Sequence, residues 1–549
     1  DGVRDGVLVG QRVAAARRLW PRDLRLKLRE AGVLEGLGRF ADAHDRLDAA
    51  RAEHPGSPWP AVRLVEFALR TRRPETARHV FAQAVWRGEA PEGTRTGLLS
   101  RTIVTLADPA ARRTYLEGLL HGGADDRFVL LKLAALAFRA RERERTEALF
   151  AAARALGPLT DESRQIELEL LFSAARFEEA YHLARALQAA APDRVDVARR
   201  AIQAAIFSGR AAEMTALLTD ALERWPGDWL LLFRFNRCPL PGEADRALFA
   251  VLAARAPAMA ADERWRFQYA VACLRHDRTG EARAILDRLS PDGPVGSMAV
   301  PLAATLAAQP DAVWANPRAV GNFCDDDLQV IETAGARATV VLFASVVGGL
   351  GYLPHGHADG LLRQRPVNVV YLRDLNHRSF TSGVRALGPD HGAMIAGLAR
   401  ITAGLGVPVV TMGSSIAGVA AIRAAAMMGA RAAISFAGPV NLGVDAADDA
   451  PPPAMTASEG TRASLFSDFT REQGTVADLI RSAPATTIHQ CYGADFPPDV
   501  EAAGLLAGLA NVHLHAVPGC ADHFAIEHMI TDGSFFTVLD AAIAGGGAP

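Results

Sequence analysis

The sequence predicts an all-α helical-repeat solenoid followed by a C-terminal α/β domain with a mostly parallel sheet. Three observations point there. Residues 1–310 read as helix after helix and carry an internal repeat. Residues 337–549 alternate short β-branched apolar runs with helical stretches. The 311–336 stretch between them opens after Gln309-Pro310 and contains Asp325-Asp326-Asp327; it breaks the helical pattern and reads as a linker.

Composition bounds the function. The 549 residues are length for more than one domain. Half are hydrophobic and 22% charged, a globular balance. With 59 basic and 62 acidic side chains the formal net charge is −3, which excludes a strongly basic nucleic-acid binder. Cys238, Cys273, Cys324, Cys491 and Cys520 are odd in number, widely spaced and without a C-x-x-C pair. They read as reduced thiols of a cytoplasmic protein, with neither a disulfide framework nor a cysteine zinc site. No signal peptide is read in the chain. The uncharged run from Ile401 to Ile422 has membrane-spanning length. Its glycines, proline and paired serines make it a strand, a turn and a helix start instead, so no membrane span is expected.

In the helical part, Gly38-Arg39-Phe40-Ala41-Asp42-Ala43 is echoed by Ala175-Arg176-Phe177-Glu178-Glu179-Ala180. Each copy leads into an amphipathic stretch that ends at a proline, Pro55 or Pro192. Weaker copies centre on Ala77, Ala111, Ala148, Met214, Ala247 and Ala282, at steps close to 34 residues. The small alanine lets two helices approach, and the phenylalanine is expected to fill the space beside it. This pattern resembles the tetratricopeptide repeat, a pair of antiparallel helices stacked into a solenoid. The resemblance implies a protein partner bound on the repeat surface.

Six apolar runs have strand length: 338–344, 367–372, 408–412, 432–436, 486–492 and 512–517. Buried strands separated by helices imply a parallel sheet covered on both faces. The third run leads directly into Gly413-Ser414-Ser415-Ile416-Ala417-Gly418 and then a helix. Strand, G-x-S-x-A-G, helix resembles the nucleophile elbow of the α/β-hydrolases, with Ala417 where that family has glycine. The resemblance covers about residues 335–545 and makes Ser415 the nucleophile, with Ser414 as the neighbouring alternative.

The family order is serine, then an acid, then histidine. Asp495 lies just past the fifth run and is the expected acid, with Asp499 in reserve. His523 lies past the sixth run, where the resemblance places the base. The oxyanion donors are expected to be the backbone N–H of Ile416 and one from the glycine-containing loop after the first run, at Ser345 or Val346.

Four further features complete the reading. The polar and aromatic loop Arg373 to Phe380 is expected to contact substrate. His355-x-His357 has no carboxylate or cysteine partner at metal-site spacing, so no metal is expected. No phosphate-binding glycine loop follows a strand, so no cofactor is expected. The 445–484 interruption, with Pro451-Pro452-Pro453, is either a cap or a loop. The expectation is a serine hydrolase, an esterase or deacylase acting on an ester-bearing small molecule or glycan. The alternatives are an O-acyltransferase using the same residues on a glycan or protein hydroxyl, and a non-catalytic scaffold.

Overall fold

The computed structural model describes residues 2–120, 126–140, 142–157, 161–322, 326–440, 469–470 and 472–545. The chain divides into two compact units, Asp1–Leu170 and Leu171–Pro549. The first is helical throughout its described residues, and the second joins further repeat helices to the α/β domain.

The helical repeat has a local cause. In five helix–turn–helix turns the residue two positions before the second helix has positive φ: Gly38, Arg72, Ala175, Gly209 and Asp277. Such a left-handed residue reverses the chain within a tight turn. Gly38 and Arg72 are 34 residues apart, as are Ala175 and Gly209. Ala43, Ala77, Ala180, Met214 and Ala282 are 0% exposed, as close helix approach requires. The other marks differ. Ala111 is half-buried, and Ala148 and Ala247 face solvent. The helix containing Ala247 buries the adjacent Leu248 instead. The expectation for Phe40 also fails: its ring is 45% exposed, whereas Phe177 is buried and stacks on Phe207 at 4.8 Å.

Among its described residues the second unit contains a seven-stranded sheet and a two-stranded ribbon. The strands are β1 (Leu328–Ile331), β2 (Ala338–Phe343), β3 (Gly349–Leu350), β4 (Leu353–Pro354), β5 (Val367–Leu372), β6 (Val409–Ser414), β7 (Ala432–Phe436), β8 (Thr487–Gly493) and β9 (Val512–Val517). The large sheet has the order β1-β5-β2-β6-β7-β8-β9, with every pairing parallel except β1 with β5. Strands β2, β5 and β7 are buried along their whole length because helices cover both faces. On one face Val341, Phe343, Val370 and Leu372 pack under the His391–Leu405 and Ile416–Met428 helices. On the other, Phe436 stacks against Phe535, and Tyr371 lies against His355.

The stretch read as a linker carries the antiparallel edge strand β1. The apparent membrane-length run contains a helix end, β6 and the start of the next helix. Among the described residues no helix is long and apolar enough to cross a membrane. Cys238, Cys273, Cys491 and Cys520 are free and buried; Cys324 lies outside the described residues. Most of the 445–484 interruption does too. Its C-terminal helix, Val476–Ser482, is described and packs Val476 and Ile480 near Val419 and Ile422.

Candidate functional site

Parallel strands send their C-terminal loops to one edge of the sheet. From β2 the chain crosses to β5 on one side, then returns past β2 to β6 on the other. The loops leaving β2 and β6 therefore diverge and leave a crevice, the usual ligand position in such sheets.

Ser415 sits at this switch point, between β6 and the Ile416–Met428 helix. Its backbone is at φ 56°, ψ −133°, outside the comfortable range of a non-glycine residue. Such strain costs roughly 1–3 kcal/mol and persists only where neighbours enforce it. Here the Ser415 N–H donates to Phe436 C=O at 2.7 Å, and its C=O accepts from Gly418 N–H at 2.8 Å. Gly413 allows the crossing, because a Cβ there would lie 2.2 Å from the Ala417 carbonyl oxygen. Ala417 fits fully buried against the sheet, so the methyl at this position is accommodated. The Ser415 side chain does not cap the helix.

Instead Ser415 Oγ lies 2.9 Å from His523 Nε2. On the other side of the ring, His523 Nδ1 lies 2.8 Å from Asp499 Oδ1. A hydroxyl, an imidazole and a carboxylate are thus aligned in one hydrogen-bonded chain. The carboxylate is not the one expected. Asp495 is exposed in the turn after β8, where its Oδ2 accepts the Gly519 N–H at 3.0 Å. Asp499 is 4% exposed and lies in the first turn of the Pro497–Gly504 helix. That turn folds the later carboxylate under the histidine loop.

The loop after β2 carries the two residues expected to offer the second amide, Ser345 and Val346. The Ser345 N–H is committed to Gly349 C=O at 2.7 Å, so Ser345 is unsuited as a backbone donor. Its hydroxyl donates to Gly351 C=O at 3.1 Å and braces the loop. Neither the Val346 nor the Ile416 N–H has a protein acceptor among the described residues. Both residues, with Ser345, line a cleft that opens to solvent.

The loop after β5 forms the facing wall, with Arg373, Asp374, His377, Ser379 and Phe380 at the cleft. Three of its residues have positive φ: His377 at 53°, Ser379 at 58° and Phe380 at 62°. The Asp374 carboxylate accepts the Phe380 N–H at 3.0 Å and holds this shape. Arg373 is anchored through guanidinium bonds to the Asp326 and Gly321 carbonyls. Ser379 is 5% exposed, and its Oγ has no hydrogen-bond partner among the described residues. Sequence reasoning missed Arg237, which reaches the cleft from the repeat helices. Nothing local in its sequence marks it, because the two cleft residues it bonds, Val346 and His377, are more than a hundred residues away.

Two other groups flank the site. Glu527 lies in the helix following His523; its Oε1 accepts the Tyr352 N–H at 3.1 Å. Burial pushes its carboxyl up to about 7, opposed by that N–H. Among the described residues, Cys520, Asp522 and His528 are close enough together to hold a metal ion. Cys520 Sγ lies 3.3 Å from Asp522 C=O, and Asp522 with Cys520 pushes the His528 imidazole up to about 10. His355 and His357 do not converge on a common point of contact. His355 lies against Tyr371, and His357 Nε2 lies 2.9 Å from Thr279 Oγ1. Burial lowers both imidazoles, His357 to about 4.

No protein-family model and no curated protein sequence matches this chain. Solved structures give weak likenesses. The Glycosylation Associate Protein (Gap123) complex from Streptococcus agalactiae is 15% identical over 40% of this chain, with a TM-score of 0.31. The match spans 45% of that protein's own chain. A carboxylesterase of the thaumarchaeon Nitrososphaera gargenis is 14% identical over 40% of this chain and 93% of its own, with a TM-score of 0.26. The P58(IPK) TPR domain is 15% identical over 56% of this chain and 98% of its own, with a TM-score of 0.16.

Proposed function

We propose that this protein is a serine hydrolase of the α/β-hydrolase type, cleaving a carboxylic ester through an acyl-serine intermediate. The observation that carries the reading is the aligned chain Ser415–His523–Asp499, with its hydroxyl on a strained residue at the head of a helix. Ser415 Oγ attacks the ester carbonyl carbon as His523 Nε2 takes the hydroxyl proton. The tetrahedral oxyanion is held by the Ile416 and Val346 N–H groups. Collapse breaks the C–O bond to the alcohol, which leaves with the proton from His523. Water then attacks the acyl-serine, with His523 again as base, and releases the acid. Asp499 fixes the histidine tautomer and stabilises the imidazolium.

The repeat helices are tetratricopeptide-like in this reading. Those within residues 1–170 recruit a protein or glycan-bearing partner, and those from 171 to 310 serve the cleft. Fluorophosphonate labelling of the full chain, with the modified peptide mapped by mass spectrometry, tests the chemistry. Label on Ser415 that vanishes in Ser415→Ala is the expected result. A folded wild-type protein that takes no label at Ser415 overturns the proposal.

A further inference from the structure

We infer that Arg237, a residue of the helical-repeat region, is a positioning residue for the oxyanion-binding amide, so that the repeat is a working part of the catalytic cleft. The inference rests on the serine-hydrolase reading above and adds to it a contribution from outside the sheet domain.

Arg237 follows the Trp229–Phe235 helix, and its neighbours are fixed. Asn236 is 1% exposed and donates from Nδ2 to the Gln268 C=O at 2.8 Å; Cys238 is 0% exposed. A side chain on so rigid a base can hold a loop in register. The guanidinium lies over the Phe233 ring at 4.4 Å, and its Nε–H donates to the Val346 C=O at 2.6 Å.

Among the described residues the Val346 N–H, in the loop after β2, has no protein acceptor. The peptide plane before its Cα is fixed within the turn, where the Ser345 C=O accepts from Gly348 N–H at 2.9 Å. The plane after it is held by Arg237 from the repeat. With both planes fixed, φ and ψ of Val346 are fixed, and so is the direction in which its N–H points. Arg237 also brings its positive charge to the cleft wall, near where an oxyanion develops.

The same residue reaches the opposite wall. The Arg237 C=O lies 2.8 Å from His377 Nε2, in the strained loop after β5. One position farther along, Arg378 donates to the Phe207 C=O at 2.6 Å and stacks over Phe177 at 5.1 Å. Both walls of the cleft are therefore fastened to repeat residues. Lysine cannot replace Arg237 fully, because only a planar guanidinium stacks on a ring while donating sideways from Nε.

The test uses full-length wild type, Arg237→Ala and Arg237→Lys. It measures kcat and KM on a p-nitrophenyl ester, the fluorophosphonate labelling rate at Ser415, and the thermal midpoint. Arg237→Ala is expected to lower kcat and the labelling rate about 10- to 100-fold, up to the loss of one oxyanion donor, with KM changed less than about threefold. Added methylguanidinium is expected to restore part of kcat without changing KM, which a merely structural role would not produce. Arg237→Lys keeps charge and bulk, and is expected to retain an intermediate kcat even if the alanine variant does not fold. A folded variant with wild-type kcat, or with its whole loss in KM, overturns the inference. Wild type that takes no label at Ser415 overturns the hydrolase reading itself. A labelled wild type with variants labelled at the same rate overturns only the role of Arg237.

Discussion

The His523 imidazole is held through Nδ1 by Asp499 at 2.8 Å, while Asp495, four residues earlier, bonds the Gly519 N–H. The two carboxylates are close in sequence and differ in burial. Asp499→Asn keeps the shape of the side chain but favours the wrong histidine tautomer. It is expected to lower kcat by about 10³- to 10⁴-fold with little change in KM. Asp495→Asn, at an exposed turn, is expected to leave kcat within about threefold. Initial rates on a p-nitrophenyl ester check both, and equal losses in the two variants would contradict the assignment.

How much of this was legible in the sequence follows from how local each cause is. Strands β2, β5 and β7 were legible because a strand buried on both faces is a nearly unbroken apolar run, whereas the edge strand β9 showed through its β-branched and apolar residues alternating with histidines. The meeting of Ser415 with His523 was legible because the G-x-S-x-A-G turn and the loop after the last run both follow strand ends, which a parallel sheet brings to one edge. Strand β1 was not, because it is a four-residue edge strand whose residues are only partly buried. Asp499 was ranked behind Asp495 because choosing between them needs the path of a helix turn. Arg237 and Glu527 were invisible, since each acts through a backbone group more than a hundred residues away in the chain.

The turn at Ser415 depends on Gly413. A methyl there would lie 2.2 Å from the Ala417 carbonyl oxygen, which belongs to the helix backbone and cannot swing aside. Gly413→Ala is therefore expected to cost at least about 2 kcal/mol and to displace Ser415 from His523. A fall in the urea midpoint, together with loss of fluorophosphonate labelling, is the expected pair of results. Normal labelling at normal stability would contradict the packing argument.

Ser379 presents a different case. Its buried hydroxyl lines the cleft without a hydrogen-bond partner among the described residues, at a φ of 58°. Removing an unpaired buried hydroxyl does not destabilise a fold. Ser379→Ala is expected to leave the thermal midpoint unchanged. If the hydroxyl bonds the substrate, KM rises about 3- to 10-fold, the worth of one neutral hydrogen bond. The steady-state constants and a melting curve separate this from a packing role, in which stability falls and KM holds.

For Glu527 the raised carboxyl implies a pH dependence of stability with a definite sign. Its folded-state carboxyl is pushed by burial from 4.5 up to about 7. Below 4.5 both folded and unfolded chains hold the proton, and the group makes no difference. Between 4.5 and 7 the folded chain binds more proton than the unfolded one, so stability falls as pH rises. Above 7 the loss is complete, at about 3 kcal/mol for a shift of this size. Glu527→Gln keeps an oxygen for the Tyr352 N–H and carries no charge. It is expected to flatten the urea midpoint between pH 5 and 8 and to exceed wild type in stability at pH 8. An unchanged slope in the glutamine variant would assign the pH dependence to another group.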